Sequence, residues 1–194
     1  MRSYLPGVTD ATVTPSPLDI VLTIRLAKHL DGATLTCVRH DGSMTWQRQR
    51  GAAAAFFPRH DLTHYAVESV LGYRRGFYGL IADGWNIGDF GAPWPRGPIP
   101  ADVDPAEIIV GLLDAERASM AGGGTPWTAA ELSQQAAVFY DAQALDAPPP
   151  VVTDEQLLAI RTLLAELFAR WDALAAGESL ELELGPNSSP LIRR

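Results

Sequence analysis

Two stretches of this 194-residue chain alternate apolar and polar residues with a period of two, and most of what lies between them repeats at a helical period. That change of period constrains the fold more than any other feature. Period two puts successive side chains on opposite faces of a strand, whereas a repeat near 3.6 gives a helix one apolar stripe. From Leu18 to Lys28, Leu18, Ile20, Leu22, Ile24 and Leu26 fall on one side, with Asp19, Thr23 and Arg25 on the other. After a turn at Asp31-Gly32, Thr34 to Arg39 reads as a second strand with Leu35 and Cys37 on its inner face. Asp41-Gly42 suits a two-residue hairpin whose central positions need positive φ. Met44 to Gln49 then reads as a third strand with Met44 and Trp46 inward. Ser179 to Leu184 alternates again, and returns to this sheet. The expected fold is α+β: a single domain with a small antiparallel sheet, made of an N-terminal three-stranded meander plus the C-terminal strand, covered by four or five helices. Residues 1–17 form a loosely ordered arm in this reading, and 185–194 a polar tail.

Between the strands, helix signals are plain. Pro58 precedes a helix over His60 to Tyr73, with Asp61 in its first turn. A shorter helix runs from Gly76 to Asp83, with Gly84 just past its end. Asp104-Pro105-Ala106-Glu107 supplies an N-cap acid, a proline at the first helical position and Glu107 two residues later, and the helix reaches about Ser119. Thr128 with Glu131 and Thr153 with Gln156 form capping boxes that open two more helices. The last runs to about Ala176 with Leu157, Ile160, Leu164, Leu167, Trp171 and Leu174 in heptad rhythm. Leu158, Leu163 and Phe168 widen that stripe beyond a two-stranded seam, which favours core packing, with homodimerisation through this helix as the alternative. Trp85 to Asp104 is a long loop rich in proline, glycine and aromatics, and it reads either as the wall of a pocket or as a cover over apolar core.

The chemistry gathers in Phe56 to Trp85, FFPRHDLTHYAVESVLGYRRGFYGLIADGW, which holds two of the four histidines. On a helix, at about 100° per residue, His64, Glu68 and Asp61 lie about 40°, 80° and 100° round from His60. Two imidazoles and two carboxylates thus share one stripe beside the apolar face of Leu62, Tyr65, Ala66, Val70 and Tyr73. Imidazoles one turn apart can bind one divalent ion such as Zn²⁺, with a third ligand and an open position for water. Glu68 is one candidate for that third ligand. Asp83, an acid at a helix C-terminus where the dipole disfavours it, is the other. Asp61 and Glu68 are the candidate catalytic acid/base groups. The same stripe also serves as a hydrogen-bonded structural network, or as a metal-free His/carboxylate pair. His29 and His40 read as exposed turn histidines, and Cys37 as a core residue.

His60-Asp61-Leu62-Thr63-His64 is similar to the H-E-x-x-H helix of zinc hydrolases, with the shorter Asp in place of Glu. That resemblance covers five residues and implies two histidine ligands and an acid as proton acceptor. The longer pattern HDLTHYAVE…GLIADGW resembles an uncharacterised group of bacterial proteins over roughly residues 33 to 100. It implies no activity, but it joins the histidine stripe to the Trp85 segment.

Composition narrows the partners. The formal charge is −8, and Lys and Arg gather in nothing larger than short pairs such as Arg74-Arg75, which disfavours nucleic acid and anionic membrane. The single cysteine excludes an intrachain disulfide and a multi-cysteine zinc site. No stretch has the length and apolarity of a membrane span, and the N-terminus lacks an apolar signal core, so the expectation is a cytoplasmic protein acting on a small molecule or another protein.

Overall fold

The computed structural model describes residues 22–185 together with the backbone of 191 and 192. The expected arm over 1–17, the first residues of the first strand and most of the expected tail lie outside the described residues. β1 (Leu22–His29), β2 (Gly32–Arg39) and β3 (Met44–Arg50) form the antiparallel meander, and β4 (Ser179–Leu184) pairs antiparallel with β1. The order is β3-β2-β1-β4-β5, where β5 (Leu191–Ile192) adds a short strand to the free edge of β4. A polar tail was expected there. The backbone groups of that edge need partners whatever side chains follow.

One face of the sheet builds the core. Leu22, Ile24 and Leu26 of β1, Leu35 and Cys37 of β2, and Leu180 and Leu182 of β4 are all buried. Burying such a side chain contributes about 1.5–3 kcal/mol, so the face is the main adhesive between sheet and helices. Met44 and Trp46 do not join it. The pairing of Leu35 with Gln47 and of Cys37 with Thr45 turns Thr45 and Gln49 inward and leaves Met44 and Trp46 exposed. The strand was oriented by its largest apolar residues, but register decides, and this edge strand presents polar groups to the interior.

The helices are α1 (Ala52–Leu71), α2 (Phe77–Ala82), α3 (Ala106–Ala121), α4 (Ala129–Gln143) and α5 (Asp154–Ala173). α1 is the central one, in contact with β2, β3, α2, α3 and α5. It starts earlier than expected, at Ala52, and carries Pro58 inside it. Four successive alanines have the highest helix propensity, and the proline removes a bond only from an early carbonyl. Asp61 therefore lies well inside the helix and gains nothing from its dipole. Gly72, at φ 68°, ends α1 in the left-handed conformation. Both threonine capping boxes are present, at Thr128 and Thr153. Asp104 is not the N-cap of α3, where Pro105 stands instead. Its carboxylate accepts hydrogen bonds from Arg74 N and Arg75 N at 2.7 and 2.6 Å, which ties the loop to the α1–α2 connection. In α5, Leu157, Ile160, Leu163, Leu164, Leu167 and Trp171 are buried, while Leu158 points to solvent.

Arg39 of β2 fixes the far side of α2. Its guanidinium donates to the carbonyls of Ile81 and Trp85 at 2.6 and 2.5 Å and to Asn86 Oδ1 at 3.2 Å. A cation is favourable at carbonyls left over by a helix end. Past that point the chain turns through a 3-10 segment at Ile87–Phe90, closed by a reciprocal cap between Asn86 and Asp89. Ile87 N donates to Thr45 Oγ1 at 3.0 Å, so an inward polar residue of β3 anchors the loop. No helix among the described residues is long and apolar enough to cross a membrane.

Candidate metal centre

α1 and α3 pack through apolar residues that include Leu62 on one side and Ile109, Val110 and Leu113 on the other. That contact brings the polar stripe of α1 up against two acids of α3. His60 Nδ1 lies 2.7 Å from Asp114 Oδ2. His64 Nδ1 lies 3.3 Å from Glu68 Oε1, and its Nε2 lies 3.1 Å from Glu107 Oε2. The two imidazole rings meet edge to face with centroids 4.8 Å apart. One ligand atom from each of His60, His64 and Glu107 falls within 4.8 Å of the others, so these three side chains could hold a metal ion.

The local electrostatics fit that grouping. An ionised carboxylate only accepts hydrogen bonds, so the proton of His60 sits on Nδ1, facing Asp114, and Nε2 is left for a ligand. Asp114 is itself braced by Arg117 at 2.8 Å. For His64, burial pulls the imidazole towards neutrality. The hydrogen bonds to Glu107 and Glu68 outweigh it, and the pKa is pushed up to about 9. Without a metal the ring is therefore an imidazolium shared by two carboxylates. The hydrogen bond from His64 holds Glu107 below its ordinary value. The two partners differ in freedom. The Glu107 side chain is 75% exposed and that of His64 only 2%, so the acid moves to the histidine rather than the reverse.

Of the acids expected in the site, Glu68 is present but not at the ligand position. It is buried, and its carboxylate accepts hydrogen bonds from Tyr78 N and Gly79 N at the start of α2, all between 3.1 and 3.2 Å. It faces Nδ1 of His64 and orients that ring from behind. Glycine at 76 makes this possible, because a Cβ there would collide with the Glu68 carboxylate. Asp83 is not brought to the histidines. Its side chain is exposed and lies 3.5 Å from Arg75, which answers its unfavourable position at the end of α2. Asp61 is buried, with Oδ2 accepting from Gln49 Nε2 at 2.8 Å, and it reaches the wall of the same cavity as His60 and His64. Burial pushes its pKa up to about 6, against the Gln49 hydrogen bond and the two imidazoles, which pull it down.

Glu107 and Asp114 are the residues that sequence reasoning missed as site groups. Glu107 was assigned to the helix start and Asp114 to nothing. They stand seven residues, two helical turns, apart beside the buried run Ile109, Val110 and Leu113, and that spacing on a core-facing helix was the signal present. His29 is not the exposed turn histidine expected: it ends β1, half-buried, against Thr34 Oγ1 at 3.0 Å, because the strand pairs on to the turn at Gly32. Cys37 is buried, and its thiol is pushed up to about 12 by burial and by the nearby charge of Asp61, so it is no nucleophile.

A cavity of about 620 Å³ opens beside the cluster, lined by His60, Asp61, His64 and Glu107 at one end. The Trp85–Asp104 loop supplies much of the opposite wall, through Ile87, Phe90, Trp94 and Ile99. Trp94 holds φ at 58°, a conformation that costs a non-glycine residue energy and that is found most often at functional sites. Compared with protein-family models, with curated proteins and with solved structures, the chain matches none.

Proposed function

We propose that the protein is a divalent-metal hydrolase of small molecules, with zinc the best-suited ion, His60, His64 and Glu107 as its ligands, and Asp61 as the proton-transfer group. One observation carries this reading. Each histidine has its Nδ1 against a separate carboxylate, Asp114 or Glu68, while His64 Nε2 meets Glu107 and ligand atoms of His60, His64 and Glu107 gather within 4.8 Å. Metal-binding histidines are held in this way, since the outer acid fixes tautomer and ring orientation and raises ligand basicity. A purely structural histidine needs one such partner, not this arrangement twice. Ligand atoms about 2.0–2.2 Å from a tetrahedral zinc stand about 3.4 Å apart, so the group would have to draw in modestly around an ion, and Glu107 is its most exposed member. Two imidazoles and one carboxylate suit zinc better than calcium or magnesium, which prefer oxygen. Three protein ligands leave a fourth position facing the cavity.

A divalent ion held there would polarise a carbonyl group and make water more acidic. Asp61 would then accept the proton of the attacking water as its oxygen bonds to the acyl carbon. The C–O or C–N bond breaks, and the same proton passes to the leaving group. A carboxyl group on the cavity wall beside both histidines is placed for both halves of that transfer. Its position in the H-D-x-x-H segment is that of the acid in the zinc-hydrolase helix, and Gln49 holds it in place of a longer side chain.

The second reading is a non-catalytic domain in which the stripe is a hydrogen-bonded network. The contacts of His64 with both Glu68 and Glu107 favour it, because they satisfy both ring nitrogens without a metal. Elemental analysis of untagged protein separates the two, together with zinc titration of chelator-stripped protein. The metal reading expects one ion per chain, lost in His64→Ala and bound at least tenfold more weakly in Glu107→Ala, with Asp83→Ala unchanged. No uptake by the wild type, or equal uptake by His64→Ala, leaves the network as the account.

A further inference from the structure

We infer that the substrate of this centre is an uncharged acyl compound, an ester or amide, carrying an aromatic group close to its carbonyl carbon. The inference rests on the metal-hydrolase reading and adds the identity of what enters. Three observations support it.

The first is an unbroken aromatic wall that starts at the cluster. The rings of His64 and Phe77, both on the cavity wall, are 5.1 Å apart and those of Phe77 and Phe90 4.9 Å, and the buried Trp85 backs Phe90 at 5.4 Å. A flat ring placed beside His64 would meet aromatic faces and edges at the spacing such pairs prefer. The second is charge. Among the described residues Arg75 is the guanidinium lining the cavity, and its two terminal nitrogens face Asp83 at 3.5 Å and Asp102 at 3.1 Å. A carboxylate or phosphate on the substrate would have to compete with two acids for it. Four carboxyl groups, those of Glu107, Asp61, Glu68 and Asp114, already surround the two histidines, which disfavours a further anion there. The third is size. A cavity of about 620 Å³ lies in the range of small-molecule sites and is larger than a two- or three-carbon acyl group needs. Ile87, Ile99 and Val103 add to the apolar lining that Phe57, Phe77 and Phe90 supply. Apolar groups gain free energy by leaving water for such a surface, and small aliphatic acyl groups would leave most of it wet.

Hydroxamic acids bind a metal through the same two oxygens whatever group they carry, so they isolate the effect of the wall. The experiment first titrates zinc into the stripped protein. It then measures Kd for acetohydroxamic, benzohydroxamic and 4-carboxybenzohydroxamic acids on the zinc-loaded protein. Benzohydroxamate should bind at least tenfold more tightly than acetohydroxamate, and the added carboxylate should remove most of that gain. Phe90→Ala should shrink the benzo/aceto ratio to threefold or less while zinc uptake persists. Trp94→Ala, at an exposed position, should shrink it in the same direction should Phe90→Ala fold poorly. Equal affinities of the first two compounds, or a tighter-binding carboxylate, would overturn the inference while leaving the metal centre standing. Failure of zinc uptake in the first step would overturn the metal reading, and this inference with it.

Discussion

The centre owes its character to which nitrogen of each histidine is occupied. Asp114 takes Nδ1 of His60 and Glu68 takes Nδ1 of His64, and Nε2 of His64 meets Glu107. Two predictions belong to this scale. Binding of zinc must displace the proton that Glu107 and Glu68 help His64 to hold, with its pKa pushed up to about 9. Apparent zinc affinity should therefore rise with pH from 6 to about 9 and flatten above it, with one proton released per ion at pH 7, as calorimetry in buffers of different ionisation enthalpy would show. Affinity independent of pH across that window would exclude His64 as a ligand. In the metal-free protein the same group has its folded pKa raised above its unfolded value, so its stabilisation is fully present below about 6.5 and is lost as pH rises through about 9. The second prediction concerns the outer acid. Asp114→Asn should keep the fold and lower zinc affinity about 10- to 100-fold, since an orienting partner outside the ligand set is worth that much. An affinity within twofold of the wild type would show that Asp114 does not orient His60. At this scale, His60, Asp61 and His64 were legible, because helical spacing alone sets them on one stripe. Glu107 and Asp114 were not, since their meeting with the histidines depends on how α1 and α3 pack, and no local pattern encodes that.

Elements are joined to the centre by polar ties as well as by packing. Glu68 is the hinge point. Its carboxylate satisfies two backbone N–H groups at the start of α2 and faces His64 across the turn. Glu68→Ala should destabilise the protein by about 1–3 kcal/mol for the unsatisfied buried donors alone, read from urea unfolding. The same variant should weaken zinc binding by less than Glu107→Ala does, since Glu68 acts through His64. A stronger effect on zinc than Glu107→Ala would restore Glu68 as the ligand. Much of the element level was readable: the capping threonines and the alternating strands each carry local chemistry that survives folding. β3 was misread because Met44 and Trp46 look like inward residues, and only pairing with β2 reveals that Thr45 and Gln49 face the interior. The extension of α1 to Ala52 was ambiguous for a similar reason, as Pro58 reads as a helix start when its neighbours are not considered.

Across the whole molecule, one cluster of buried residues joins β1, β2 and β4 to α1, α3 and α5, and the candidate centre lies at the margin of that cluster. A core shared in this way predicts one cooperative unfolding transition. Leu167→Ala, at a fully buried position of α5, should cost about 2–5 kcal/mol and shift fluorescence and circular dichroism together. Two separated transitions would contradict a single folding unit. The α+β class was visible in the change of period along the chain. The cavity was only half visible, since the Trp85–Asp104 loop announced itself by length and aromatic content, whereas the acids facing it come from a helix that follows.

Anomalous diffraction at the zinc absorption edge, from crystals grown with stoichiometric zinc, tests the central claim most directly. The account predicts one strong peak about 2.0–2.2 Å from Nε2 of His60, Nε2 of His64 and a carboxylate oxygen of Glu107, with Asp114 and Glu68 still on the Nδ1 atoms. No peak between the two histidines, or a peak ligated by Glu68 or Asp83 instead of Glu107, would contradict it.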